Sequence, residues 1–268
     1  MSRGVKLFLV ALLGLALVVG VVGCSGGEQE KANTKEETMT TFDKIKEKGK
    51  IVIGSDASYK PFEYHNAEGE IVGFDVDFLN AIGKELGIEV EFVDTAFDGI
   101  IPGLNANKYD IAVSAMTITE KREKAVDFTE PYFNAGQVIA VMEGTNDIKT
   151  TKDLKGKVVA VQLGTTGDLK ATKDIEGIKE VKRYEKITQA FIELKNGRAD
   201  AVVNDLPVTA AYIMENSDVK MVGKPFTEEQ YGIATREEDN ELEKALNDAI
   251  AKLKENGTYD EIHNKWFK

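Results

Sequence analysis

The chain has 268 residues, 42% of them hydrophobic, a formal net charge of −12 at pH 7 and a single cysteine. That charge argues against nucleic acid and against electrostatic adhesion to anionic lipid, since both reward a basic surface. With one cysteine no internal disulfide can form, so a packed core must hold the fold, which is feasible at this size.

Arg3 and Lys6 precede an almost unbroken run of Leu, Val, Ala and Gly from Leu7 to Val22. The run is shorter than a comfortable membrane span and reads as the core of a signal peptide, residues 1–23. It ends Val21-Val22-Gly23-Cys24-Ser25. A small residue directly before the only cysteine resembles a bacterial lipobox, which implies cleavage before Cys24 and a lipid on its sulfur. A lone free thiol is otherwise out of place in an exported protein. Residues 24–41, mostly Gly, Glu, Gln, Lys, Asn and Thr, cannot bury enough surface to offset their ordering entropy and read as a disordered tether.

The body begins with a short helix, Phe42 to Lys48, closed by Gly49. A buried strand, Lys50 to Gly54, runs into Ser55-Asp56-Ala57-Ser58-Tyr59-Lys60-Pro61-Phe62. Glu63 to His65 and Glu70 to Val72 form a hairpin around Asn66-Ala67-Glu68-Gly69. Apolar residues at Phe74, Phe78, Leu79, Ile82 and Leu86 mark a helix stopped by Gly87. A strand over Ile88–Val93 and a helix over Phe97–Asn105 follow, with Pro102 tolerated near the first turn.

Ile111 to Val113 is again a buried strand, after which the pattern changes character. Ser114, Ala115, Thr117 and Thr119 lead to Arg122, with Glu120–Ala125 predicted as a short helix capped by Thr119. Hydroxyls, a helix N-terminus and a guanidinium at one strand end suit a small carboxylate, which needs oriented N–H donors and a planar fork.

The same grammar then repeats. Gly156-Lys157-Val158-Val159-Ala160-Val161 parallels Gly49-Lys50-Ile51-Val52-Ile53-Gly54, and Lys195 to Val203 parallels Ala106 to Val113. Two matched pairs in the same order imply two lobes of alternating strands and helices with parallel sheets. Extended runs at Gln137–Met142 and Tyr231–Thr235 mark where the chain leaves lobe one and returns. Lobe one is therefore expected to take 42–137 and 231–268, and lobe two 138–230. Asn240 to Asn256, an amphipathic helix, and a terminal helix ending Trp266-Phe267 fall to lobe one. Two crossings make a hinge, and a cleft lies between hinged lobes.

Pro61-Phe62-Glu63, Gly73-Phe74-Asp75-Val76-Asp77, Asp110 to Arg122, Asp127-Phe128-Thr129, Gly164-Thr165-Thr166, Asn256-Gly257-Thr258-Tyr259 and Lys265-Trp266-Phe267 occur in this order. Together they resemble the polar amino-acid substrate-binding proteins of bacterial ABC transporters, solute-binding family 3, over about Gly49 to Phe267. The resemblance implies an α/β fold of the two-lobed periplasmic-binding-protein type II class. It implies a non-enzymatic, monomeric protein that hands an L-amino acid to a membrane permease outside the cytoplasm, held there by the lipid on Cys24. Carried over by position, the ligand carboxylate would meet Arg122 and the N–H groups of Thr117 and Thr166. Its ammonium would meet Asp205, the Ala115 carbonyl and the Thr117 hydroxyl. Tyr59 and Phe97 would sandwich the side chain, Asp56 would meet its polar end, and Gln162 and Asn204 would flank the pocket.

Some of these residues also fit plainer roles. Asp205 precedes Leu206-Pro207 and could be a turn or cap residue, and Phe97 could be core. Asp75 and Asp77 read as capping residues facing solvent at a helix start. His65 and His263 have no metal-spaced partner and read as surface residues, so neither a metal nor another cofactor is expected. Glutamine-selective relatives carry lysine where this chain has Gln162. Lacking a cation there, Asp56 would slightly favour a basic side chain (Arg, Lys or His) over glutamine. The same fold also carries cyclohexadienyl (prephenate or arogenate) dehydratases, the enzymatic alternative, which needs a placed proton donor in the cleft.

Overall fold

A computed structural model describes residues 39–268; the expected signal peptide, Cys24 and the tether as far as residue 38 lie outside the described residues. Helix α1 (Thr41–Lys48) starts earlier than expected, because Thr40 and Asp43 form a reciprocal capping box. Thr41, the last residue assigned to the tether, therefore belongs to the helix, with Thr40 as its cap.

The first lobe is built on β1 (Lys50–Ser55). A small three-stranded sheet follows, β2 (Ser58–Tyr59), β3 (Glu63–His65) and β4 (Ile71–Val72). Helix α2 (Phe74–Leu86) has the predicted bounds and ends on Gly87 in the left-handed region. Its N-cap is Gly73 at φ 144°, where a Cβ would stand 2.0 Å from the Phe62 carbonyl oxygen, so only glycine lets the helix start that close to the loop. Strand β5 (Glu89–Asp94), a tight turn at Phe97–Gly99, α3 (Ile100–Asn105), β6 (Ile111–Ala112) and β7 (Asp127–Phe128) complete this part.

The chain then passes through β8 (Phe133–Ala135) into the second lobe. That lobe holds β9 (Gln137–Met142), β10 (Val158–Gln162), α4 (Thr166–Leu169), β11 (Glu180–Tyr184), α5 (Ile187–Lys195), β12 (Ala201–Asp205), α6 (Leu206–Glu215) and β13 (Val219–Val222). Strand β14 (Glu229–Tyr231), paired antiparallel with β8, brings the chain back to β15 (Ala234–Thr235) in the first sheet. Helices α7 (Asn240–Glu255) and α8 (Thr258–Phe267) close the chain. They pack on α2: Asp77 accepts from Lys265 at 2.6 Å and from the Trp266 indole at 2.7 Å, and Phe267 sits 5.3 Å from Phe62 and Phe74.

Both main sheets have five strands, ordered β5-β1-β6-β15-β7 and β11-β10-β12-β9-β13. In each, a central strand (β1 or β10) lies parallel between two others (β5 and β6, or β11 and β12), and the fourth position is taken by an antiparallel strand that follows a crossing. The sequence repeat extends to single hydrogen bonds. Asp110 accepts from the Val52 amide at 2.9 Å and Asp200 from the Val158 amide at 2.7 Å, each fixing the register of the strand it precedes.

The histidines are not alike. His65 is exposed, whereas His263 is half-buried, 5.8 Å from the Phe133 ring in the aromatic cluster under α8. Its spacing on a face with Tyr259 and Phe267 explains the difference, since α8 turns that face inward.

Candidate functional site

Strand carboxyl ends are where open α/β sheets hold ligands. Asp56 stands just past β1 and is only 1% exposed. Its Oδ1 accepts from Lys186 Nζ at 2.6 Å and from the Ser58 hydroxyl at 2.7 Å, and its Oδ2 from Gln162 Nε2 at 2.6 Å. Burial pushes its carboxyl above the ordinary range, against the lowering effect of these donors. The expectation that Asp56 lacks a cation is thus corrected: Lys186, from the turn before α5, supplies the charge that Gln162 does not.

Past β6, Ala115 adopts a positive φ of 43°. The turn is held from behind by two fully buried carboxyl groups. Asp75 Oδ2 accepts from the Ala115 amide at 3.0 Å and the Tyr132 hydroxyl at 2.9 Å, and Glu63 accepts from the Ser114 hydroxyl at 2.9 Å. Burial raises Asp75 to about 6 and Glu63 well above its usual value. Asp75 is therefore not the solvent-facing cap expected. Gly73 makes the helix start, with no side-chain cap, and the first turn of α2 points Asp75 inward.

Glu120–Ala125 is a pair of tight turns rather than a helix. The amides of Arg122 and Glu123 both donate to the Thr119 carbonyl, and those of Ala125 and Val126 both to Arg122, so no continuous ladder propagates. The fold-back buries Arg122 to 8% exposure. Nη1 donates to the Thr117 carbonyl at 2.5 Å, Nη2 to the Gly164 carbonyl of the other lobe at 3.3 Å, and the guanidinium lies 5.1 Å from the Phe97 ring. Burial pulls its pKa down to about 10, opposed by the charges of Asp205 and Glu229.

From the second lobe, Thr165 caps α4 and Thr166 follows it, buried. Asp205 ends β12 and occupies the N-cap position of α6, yet its side chain makes no capping bond. It accepts instead from Gln137 Nε2 and the Tyr231 hydroxyl, and burial, with the charge of Glu229, raises it to about 7. Neither Arg122 nor Asp205 takes part in an ion pair among the described residues.

Tyr59, Phe97, Ala115, Thr117, Arg122, Gln162, Thr166 and Asp205 line one narrow interlobe cavity, with Thr165. Asp56 stands behind Gln162, and Asn204 behind Tyr59, whose hydroxyl it accepts at 2.8 Å. Phe97 is half-buried against Arg122 rather than plain core. Larger surface clefts, such as that along Thr151, Lys155 and Gly177, bring together no comparable set of buried polar groups.

Sequence reasoning missed Gln137, Lys186, Glu229 and Tyr231. Glu229 Oε2 accepts from the hydroxyls of Thr117 at 2.7 Å and Thr166 at 2.8 Å, one from each lobe. The available signal was position: Gln137, Glu229 and Tyr231 lie on the strands that cross between lobes. Lys186 carried no signal beyond being one of many lysines.

The family profile of the bacterial extracellular solute-binding proteins, family 3, matches residues 51–268. The chain belongs to this family. Among its relatives is ABC transporter arginine-binding protein 1 of Escherichia coli (strain K12), 39% identical over 223 residues, which cover 81% of this chain and 90% of that protein. The ABC transporter glutamine-binding protein GlnH of Bacillus subtilis (strain 168) is 37% identical over 98% of this chain and 97% of its own length. Among solved structures, the P235GK mutant of ArgBP from T. maritima superposes with a TM-score of 0.81 at 47% identity, covering 85% of this chain and 99% of that one. Both curated relatives are ABC transporter binding proteins, and the architecture is the type II periplasmic-binding-protein fold.

Proposed function

We propose that this chain is the substrate-binding component of an ABC importer for a polar L-amino acid, which it holds between its lobes. One observation carries the reading. A buried guanidinium without a carboxylate partner and a buried carboxylate without a cationic partner, among the described residues, line the same cavity. That arrangement complements an α-amino-acid zwitterion. Arg122 takes the carboxylate with the N–H groups of Thr117 and Thr166, and Asp205 takes the ammonium with the Ala115 carbonyl and Thr117 hydroxyl. Tyr59 and Phe97 cover the side chain.

Its far end meets Gln162, whose Oε1 is buried without a hydrogen-bond partner among the described residues. Such an acceptor favours a side chain ending in N–H donors, which L-arginine and L-glutamine both have. The named relatives bind these two, in keeping with the chemistry. Ligand contacts from both lobes favour the closed arrangement, with β8 and β14 as the hinge. The working protein is a monomer outside the cytoplasm, anchored through lipid on Cys24 and delivering to a permease.

Isothermal titration of the mature protein against the common L-amino acids tests this. The expected result is saturable binding of L-arginine or L-glutamine and none of the D-enantiomers. Absence of binding to every L-amino acid overturns it, and steady turnover of prephenate overturns it in favour of the dehydratase alternative.

A further inference from the structure

Behind Gln162, at the wall of the cavity, stand two carboxylates and one ammonium. Lys186 Nζ is 2.6 Å from Asp56 Oδ1 and 3.5 Å from Asp94 Oδ1, so it stands between them. The two acids come from the ends of β1 and β5 in the first lobe, and the lysine from the second. Their surroundings differ. Asp56 is almost fully buried and touches Gln162 of the cavity wall, whereas the Asp94 side chain is 38% exposed, at the rim beside His65 at 3.1 Å and the Ala57 amide. The Lys186 side chain is 24% exposed, on a flexible stem that can pass from one acid to the other without leaving the rim.

We propose that Lys186 is a moving counter-ion that sets the side-chain charge preference of the site: it rests on Asp56 when the ligand side chain is neutral and shifts to Asp94 when that side chain is cationic. With a carboxamide ligand, Asp56 stays paired with Lys186, and Gln162 meets the ligand. A guanidinium that reaches Asp56 replaces the ammonium, because two cations on one buried carboxylate repel each other at short range. Asp94 then accepts the displaced lysine, so no buried charge is left alone. One pocket thereby takes both neutral and cationic side chains, and Lys186 with Asp94 fixes the ratio. This inference rests on the amino-acid reading of the site.

Titration calorimetry with L-arginine and L-glutamine at one salt concentration tests it, on wild type, Lys186→Ala, Lys186→Gln and Asp94→Asn. Both lysine variants are expected to raise the arginine-to-glutamine affinity ratio by about tenfold or more, and Asp94→Asn to lower it. Thermal melting without ligand reports whether each variant is folded, and the two lysine substitutions give independent readings of the same ratio. Wild type that binds neither ligand overturns the amino-acid reading and this inference with it. Wild type that binds, with the ratio unmoved in the lysine variants, overturns this inference alone.

Discussion

The Tyr59 hydroxyl donates to the Asn204 carboxamide oxygen at 2.8 Å, joining β2 in one lobe to the end of β12 in the other. Both side chains are buried, so the bond is shielded from water, and it exists only when the lobes are together. Tyr59→Phe keeps the ring over the cavity and deletes the donor. The orphaned Asn204 acceptor costs about 1–3 kcal/mol, felt in the closed form and relieved in an open one. Ligand affinity should therefore fall roughly tenfold or more, with little change in the melting temperature measured without ligand. Calorimetry and a melting scan check the two halves; an unchanged affinity would detach this bond from closure.

Arg122→Ala should weaken every amino-acid ligand alike, by about hundredfold or more, because hydrogen bonds to a charged group contribute about 1.5–3 kcal/mol each. It should not unfold the protein. Among the described residues the guanidinium pairs with no carboxylate, and its burial already disfavours the charge, pulling the pKa to about 10. Calorimetry on arginine, glutamine and histidine is decisive; selective loss of one ligand would move Arg122 from the shared clamp to the side-chain pocket.

Asp205 predicts opposite pH trends for binding and stability. Burial first, then Glu229, raises its folded pKa from 3.8 to about 7. The stability it contributes is complete below the unfolded value and is lost as pH rises through about 7. An ammonium ligand needs the ionised form, so affinity should rise as pH passes through the same range, by about tenfold from pH 6 to pH 8. Asp205→Asn should bind weakly, with a flat profile. Calorimetry across that range checks it; a flat wild-type profile would remove Asp205 from the ammonium site.

How far the sequence could be read follows from which interactions are local. Helix α2 was legible to the residue because its apolar spacing and the stop at Gly87 are local, lying in the helix and directly after it. The paired Asp110 and Asp200 gave the repeat, since each holds its strand through the same backbone bond. The cavity residues were reached through the family resemblance, and the structure brings them together. What failed depends on distant partners. Thr119 and Glu120 look like a helix start, but the guanidinium of Arg122 folds back on Thr117 and the turn closes there. Asp75 looks like a capping acid, but Tyr132 and Ala115 wait for it inside the lobe. Lys186 meets Asp56 from 130 residues away, a separation no local pattern reports.

Asp75 also makes the stability of the first lobe sensitive to pH. Burial raises its carboxyl to about 6, against the lowering effect of the Ala115 amide and other donors. A raised folded pKa means that the protonated form is the better native form. Its contribution is full below the unfolded value of 3.8 and fades as pH rises through about 6. Asp75→Asn keeps an acceptor for the Ala115 amide and the Tyr132 hydroxyl and carries no charge. The variant should hold its melting temperature between pH 5 and pH 8, where wild type loses several degrees, a size set by roughly 2–4 °C per kcal/mol in a domain of this length. Glu63, raised in the same pocket, leaves a residual slope in the variant. Asp75→Leu separates charge from hydrogen bonding: it also removes the titration, but strands the Ala115 amide at a cost of about 1–3 kcal/mol. Calorimetric melting of all three proteins without ligand resolves these effects, and an Asp75→Asn profile as steep as wild type would assign the slope to Glu63 instead.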